Sequence, residues 1–429
     1  MLFLFMLRKF LPKSIYARNV ITLMTGTGIA QAIPIAISPI LTRLYSPQEF
    51  GTFALYMAVV SIVSVLVTGR YELAILLPKL DRDAMNIVAL AIGLSFVSSV
   101  VLFVLVALFN EPMASLLGAP GFAQWLYWVP VSTLLLGVYQ TLNYWTNRRG
   151  QYRRLAVSRT VQSGTASVAQ LGGGSMKASA MGLIGGQMLG QVLSTAVLAF
   201  QISREDHALA RQLRLARAVA LAKKYKNFPR FLIVAHGFNA GSRNMPVVLL
   251  NAIFGAMTAG LFTLVQRVMG APMVLIAGAL GDVFRQEASH AYVNTGNCRV
   301  VYQKTFQRLL AIALLPFILF FFCAPLLFAF VFGEQWRGAG VYAQLMTPMF
   351  FLQFVTSPLS SMYMIAEKQK LDLLWQLVLF FLVACSFFVG YVFASATVSL
   401  AAFSASYCLM YLVNGIISHQ LALGRWRNK

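Results

Sequence analysis

Three arginines, Arg70, Arg243 and Arg267, fall inside stretches of the sequence that are otherwise apolar. At bilayer depth an ionised side chain costs at least about 2.5–3.5 kcal/mol, so each needs water or an anionic partner. A guanidinium suits a phosphate, because its planar fork gives bidentate, charge-assisted hydrogen bonds that strengthen in a low-dielectric cavity. Arg243 is the deepest. Counting from Phe231 at 1.5 Å per residue places it about 18 Å into a hydrocarbon core about 30 Å thick. His236, Asn239 and Arg243 follow i, i+3, i+7 spacing and Asn251 continues the stripe, so one helix face is polar. Arg267 lies about 10 Å below Gly260 by the same count, with Thr263 one turn earlier and Gln266 beside it. Arg70 sits in Gly69-Arg70-Tyr71-Glu72, a cluster that reads equally as a substrate contact and as an interfacial anchor.

Further polar stripes occur where a lipid-facing helix has none: Gln31, Pro34, Ser38 and Thr42; Gln140, Asn143 and Asn147; and Arg159, Gln162, Ser163 and Gln170. Several helices therefore share a wet interior, although any single Gln or Ser is better explained by an interhelical hydrogen bond. The candidate substrate-binding residues are Arg243, Arg267, Arg70, Asn239, His236, Gln31, Asn143 and Arg159. The sign of the buried charge selects an anionic cargo: the acids inside predicted spans are Glu72, Asp282 and Asp372, all near cytoplasmic ends, whereas a cation exporter needs a central carboxylate. No phosphate-cradling glycine loop with lysine, metal-spaced His/Cys cluster or nucleophile elbow is present. The four histidines are scattered, with His207 and His290 expected in exposed loops and His419 at an interface. These features indicate no enzyme, no metal and no cofactor.

The elements that must position these side chains are membrane spans. Of 429 residues, 59% are hydrophobic and 11% charged, and the mean hydropathy is +0.73, against about 25% charged in a soluble domain. Apolar runs recur along the chain and predict an all-α integral membrane protein with twelve helices, at 19–44, 51–77, 84–109, 122–147, 155–174, 178–202, 229–254, 259–283, 304–332, 341–365, 371–392 and 395–420. The fifth and sixth are separated at Gly172-Gly173-Gly174-Ser175 and Lys177, and the run from Gly182 to Gly190 predicts close helix packing. The chain divides into a cytoplasmic or interfacial N-terminus (1–18), a six-helix bundle (19–202), a basic linker (203–228), a second bundle (229–420) and a basic tail (421–429). Gly51-Thr52-Phe53-Ala54-Leu55 and Gly260-Leu261-Phe262-Thr263-Leu264 open the second and eighth helices and hint at parallel repeats.

The net charge of +22 follows topology. With the N-terminus inside, 28 of 34 lysines and arginines lie in or beside cytoplasmic segments, and external loops hold only Arg43, Lys177 and Arg337. That positive-inside bias fixes both termini in the cytoplasm and explains the basic surface by anionic lipid headgroups, not nucleic acid. In the linker, Arg211, Arg214 and Arg217 recur every third residue, as suits either an amphipathic helix on the inner leaflet or an ordinary connection. The opening apolar run precedes Arg8 and Lys9 and lacks a cleavage site; it reads as an interfacial anchor, or translation begins at Met6. Cys323, Cys385 and Cys408 fall in spans and Cys298 in a cytoplasmic loop, leaving no disulfide framework. External loops of about a dozen residues at most, such as 110–121 and 332–340, leave little room for extracytoplasmic catalysis.

Three stretches resemble one family. Leu41-Thr42-Arg43-Leu44-Tyr45-Ser46-Pro47-Gln48-Glu49-Phe50-Gly51-Thr52-Phe53-Ala54-Leu55 looks like the first external loop and second-helix start of the polysaccharide flippases of the multidrug/oligosaccharidyl-lipid/polysaccharide exporter superfamily. Thr68-Gly69-Arg70-Tyr71-Glu72-Leu73-Ala74-Ile75 resembles their second-helix end. Phe332-Gly333-Glu334-Gln335-Trp336-Arg337 with Ala339-Gly340, then Ser357-Pro358-Leu359-Ser360, resembles the ninth-to-tenth-helix region of O-antigen translocases. The resemblance implies two six-helix bundles in a V, as in multidrug-and-toxin-extrusion proteins, with the first, second, seventh and eighth helices lining a central cavity. It implies a bacterial inner-membrane flippase that moves an undecaprenyl-pyrophosphate-linked oligosaccharide, an O-antigen, capsule or related repeat unit, to the periplasmic leaflet. A polysaccharide polymerase or chain-length regulator is an expected partner. Sodium or proton coupling is left open with no ion site to name, and the alternative is a cation-coupled drug or metabolite antiporter of the same fold.

Overall fold

The computed structural model describes residues 15–206, 209 and 212–425; the opening apolar run with both candidate start residues, His207, Arg211 and the end of the basic tail lie outside them. The described residues are predominantly helical, with no strand among them. The long helices are α1 (Ile15–Leu44), α2 (Pro47–Val67), α3 (Asp81–Leu116), α5 (Val129–Arg148), α6 (Tyr152–Ser175), α7 (Ser179–Glu205), α9 (Ile233–Phe254), α10 (Ala256–Pro272), α11 (Gly278–Thr295), α12 (Arg299–Phe332), α13 (Arg337–Thr356), α15 (Gln369–Val392) and α16 (Ala396–Ala422). Short helices α4 (Ala123–Leu126), α8 (Leu215–Lys224) and α14 (Met362–Ile365) complete the set. With α10 and α11 taken as one broken element, the long helices occupy the twelve predicted positions. Among the described residues seven are long and apolar enough to cross a membrane: α1 from Thr25, α2, α3, α7, α12, α15 and α16. A bent pair, 120–126 with α5, makes an eighth. The rest, α6, α9, α10, α11 and α13, are shorter or more polar.

Several boundaries differ from expectation. The second helix ends at Val67, not residue 77, because Gly69 and Arg70 both take positive φ (61° and 59°) and turn the chain into a 3₁₀ segment, Tyr71–Leu76. In α3 the backbone breaks at Phe109 (φ −130°), where the Pro112 ring collides with the preceding turn. Single turns of π-helix, Phe228–Leu232 with Pro229 and Met273–Ala277 after Pro272, precede α9 and separate α10 from α11. His290 lies exposed on α11 instead of in a loop.

Contacts divide the chain into two compact units, Met1–Tyr45 with Thr52–Val248, and Ser46–Gly51 with Leu249–Lys429. In the first, α6 packs on α1 and α7 through small residues. A Cβ added at Gly182 would stand 2.1 Å from the Tyr45 hydroxyl, and one at Gly190 would stand 2.5 Å from the Gln162 carbonyl. Tyr45 OH donates to the Gln170 carbonyl at 2.7 Å. Pro34 cannot donate to the Ala30 carbonyl, and Ser163 Oγ supplies that bond from α6 at 2.6 Å. The core around Ile75, Ile87, Trp145 and Leu198 is capped by polar links: Trp145 Nε1 donates to Asp206 at 2.9 Å, and Arg148 and Arg149 hold Asp81. In the linker, Arg211 lies outside the described residues, and Arg214 and Arg217 do not share one helix. Arg214 is extended (φ −137°) with its N–H on Asn86, and the helix α8 starts after it, with Arg217 held by Asp83 and Ala218 and Leu221 buried.

In the second unit, a Cβ at Gly260 would fall 1.8 Å from the Pro47 carbonyl oxygen, and one at Gly51 1.7 Å from that of Ala256. The two helix starts whose sequences resemble each other thus cross at their glycines. Phe284, Tyr302, Phe354 and Leu359 centre a second core, in which Tyr302 OH donates to the Gly415 carbonyl at 3.1 Å.

Candidate functional site

Within the first unit, α9 presents His236, Asn239 and Arg243 as exposed residues at i, i+3, i+7. Arg243 has no hydrogen-bond or ion-pair partner among the described residues. A helix facing lipid could not hold that face, so the side chains require water or a polar ligand. Asn244, on the other flank, donates to Ser61 Oγ at 3.3 Å and to the Ala240 carbonyl at 2.8 Å, tying α9 to α2. Asn251 departs from the stripe: it is 2% exposed.

Arg70 stands next to this face. Its Nη1 donates to Glu72 Oε1 at 3.2 Å, and the two side chains are only 14% and 0% exposed. The pair is incompletely satisfied, since Arg70 Nε and Glu72 Oε2 are buried without partners. Left-handed backbone at an arginine stores about 1–2 kcal/mol, which the surrounding packing must supply. His236 and Tyr144 are both within electrostatic reach of Arg70 and Glu72. The structure therefore brings Arg70 and His236 into one cluster and adds Glu72 and Tyr144, which have no periodic signature in the sequence.

The other candidates separate into two kinds. Arg159 Nη1 donates to Thr27 Oγ1 at 2.7 Å, joining α6 to α1, so one of its bonds serves packing. Ser38 and Thr42 are buried and return their hydroxyls to their own helix, to Pro34 and Pro39 carbonyls. Gln31 is exposed and Asn143 half-buried. In the second unit, Arg267 is half-buried on α10 with its guanidinium carbon 5.8 Å from the centre of the Phe50 ring, which itself meets Trp336 edge-on at 5.0 Å. An aromatic face stabilises a cation without consuming its N–H donors. Among the described residues no three His, Cys, Asp or Glu side chains are grouped to hold a metal ion.

The polar face lies in a fold shared with known transporters, and a sequence profile described as polysaccharide biosynthesis protein matches residues 40–341. The chain belongs to that family. Among solved structures it is similar to a lipid II flippase, MurJ, in an inward closed conformation, at 10% identity and a TM-score of 0.72 over 94% of this chain and 90% of that one. It is also similar to an inward-facing multidrug resistance transporter of the MATE family and MOP superfamily, at 14% identity and 0.69 over 95% and 96%. A MOP superfamily transporter from Pyrococcus furiosus, described as having a binding pocket of reverse polarity, aligns at 13% identity and 0.57 over 95% and 96%. No curated protein sequence matches. This member of the polysaccharide biosynthesis family is thus an all-α membrane protein with the fold of MOP superfamily transporters.

Proposed function

We propose that this chain is a flippase that carries an undecaprenyl-pyrophosphate-linked oligosaccharide, an O-antigen, capsule or related repeat unit, from the cytoplasmic to the periplasmic leaflet of a bacterial inner membrane. The observation that carries the reading is Arg243, without a partner among the described residues, on an exposed polar face of α9 with Asn239 and His236 beside it. Such a face binds a diphosphate through the guanidinium fork and leaves amide and imidazole groups for sugar hydroxyls. Membership in a polysaccharide biosynthesis family and a fold similar to that of a lipid II flippase support this cargo class. The distribution of lysine and arginine supports a topology with both termini in the cytoplasm. Two six-helix bundles alternate access by rocking, while the lipid tail stays in the bilayer.

The test is translocation of a fluorescent lipid-linked oligosaccharide in proteoliposomes containing the purified chain. Protein-dependent loss of the label from the outer leaflet is expected. Export of an organic cation with no movement of the glycolipid would sink the proposal and favour the antiporter.

A further inference from the structure

The second unit holds a polar cavity of about 360 Å³ where the start of α11 meets the turn that follows α13. Pro358 has no N–H to return to the Phe354 carbonyl, so α13 stops at Thr356 and the chain tightens into a 3₁₀ turn, Ser357–Ser361. On the α11 side, the π-turn Met273–Ala277 closes with the Gly278 N–H on the Met273 carbonyl, a widened geometry that is frequent at functional sites. Gly281 lets α11 reach the turn: an added Cβ would stand 3.2 Å from Pro358 Cβ. None of the candidate substrate residues read from the sequence lines this cavity.

Its reachable groups are one carboxylate, one guanidinium and two hydroxyls. The Asp282 and Arg285 side chains are 62% and 58% exposed, and their approach of 3.7 Å is too long for a hydrogen bond. Arg285 Nε donates instead to Ser361 Oγ at 3.4 Å, which orients the guanidinium and leaves both terminal nitrogens available. Ser360 Oγ donates to the Ser357 carbonyl at 2.7 Å and keeps its lone pairs, while Ser357 Oγ has no partner among the described residues. Both serines are half-buried and both charged side chains exposed, so all four are open to a ligand.

The balance of charge selects that ligand. A phosphate or carboxylate on Arg285 would meet Asp282, and a cation on Asp282 would meet Arg285. An apolar ligand would strip water from charges and hydroxyls without replacing its hydrogen bonds. A neutral polyol satisfies all four groups, because adjacent hydroxyls can donate to a carboxylate, accept from a guanidinium and do either with a serine. We infer that this cavity binds neutral sugar rings and is a glycan subsite for the lipid-linked cargo, separate from the Arg243 face. The cargo role rests on the flippase reading. In its favour, Asp282 and Ser357 lie toward span ends that the lysine and arginine distribution directs to the cytoplasm, the side from which such a cargo is loaded.

Saturation-transfer difference NMR on the full-length chain, in a detergent without sugar headgroups, tests the pocket with N-acetylglucosamine, glucuronate and protonated glucosamine. The wild type is expected to prefer the neutral sugar about tenfold. Asp282→Asn leaves Arg285 uncompensated and should turn the preference toward glucuronate. Arg285→Gln leaves Asp282 uncompensated and should turn it toward glucosamine. Ser357→Leu should weaken N-acetylglucosamine binding about tenfold and slow glycolipid translocation in proteoliposomes severalfold, with melting unchanged. No binding of N-acetylglucosamine, or a charge preference unmoved in both Asp282→Asn and Arg285→Gln, overturns the sugar assignment even if the wild type moves glycolipid. Wild-type translocation by Ser357→Leu overturns the cargo role. Sugar binding by a wild type that moves no glycolipid sinks the flippase reading, and the cargo role with it, while the pocket chemistry stands.

Discussion

Arg70 and Glu72 are two residues apart, joined by one bond of 3.2 Å, and each keeps a buried polar atom, Arg70 Nε and Glu72 Oε2, with no partner. Removing one member strands the other, at about 3–5 kcal/mol for a buried pair. Arg70→Ala should therefore lower the melting temperature in detergent substantially. Arg70→Gly should be less damaging by about 1 kcal/mol, because glycine takes φ of 59° without a Cβ penalty. The double variant Arg70→Ala with Glu72→Gln should recover much of the loss. A melting curve for Arg70→Ala that overlays the wild type would refute the structural importance of the pair.

Arg243 is exposed and unpartnered among the described residues, so its substitution should spare stability and strike transport. Arg243→Ala is expected to slow glycolipid translocation about tenfold or more, since hydrogen bonds to a charged group contribute about 1.5–3 kcal/mol. Arg243→Lys should fall between, keeping the charge and losing the fork. The same proteoliposome assay decides: wild-type rates in both variants would make the residue dispensable to cargo binding.

The sequence reveals the spans well because hydropathy and lysine/arginine placement are strong, additive signals, whereas the role of each polar residue inside them depends on neighbours. Ser163 and Arg159 belong to one stripe of the fifth predicted span, yet Ser163 satisfies the Ala30 carbonyl that Pro34 leaves open, and Arg159 bonds Thr27. Spacing cannot distinguish such bonds from a wet face. On α9 the same kind of stripe is exposed as far as Arg243, while Asn251 is buried. The turn after Val67 was hidden for a different reason: Gly69 is a visible breaker, but left-handed backbone at Arg70 is imposed by tertiary packing and has no residue signature.

The crossing of Gly51 and Gly260 gives a packing prediction. Gly260→Ala would set its Cβ 1.8 Å from the Pro47 oxygen, and Gly51→Ala 1.7 Å from the Ala256 oxygen, and backbone cannot step aside as a side chain can. Each should destabilise by at least about 1–3 kcal/mol. Gly185→Ala is the control, because nothing lies within 4 Å of its would-be Cβ and alanine favours helix by up to about 1 kcal/mol. Thermal melting in detergent should rank Gly185→Ala at or above wild type and both crossing variants well below it. Equal melting of all three would contradict the close approach.

Cys298 separates burial from position in the chain. The sequence places it in a cytoplasmic loop, but it is 2% exposed at the start of α12, with Sγ 3.4 Å from Met362 Sδ. Burial pushes its thiol from 9.0 up to about 11. A thiol whose folded value is raised favours the folded state fully below pH 9, and that contribution is lost as pH climbs from 9 through about 11. A variant retaining Cys298 as its sole cysteine should therefore resist a soluble maleimide at pH 7.5, both for want of thiolate and for want of access. Unfolding in dodecyl sulfate should restore labelling. Met362→Ala, which opens space beside the sulfur, should raise the labelling rate of the folded protein severalfold. Rapid labelling of the folded parent at neutral pH would show the thiol to be open to water, and the packing of the α12 start against Met362 would then be wrong.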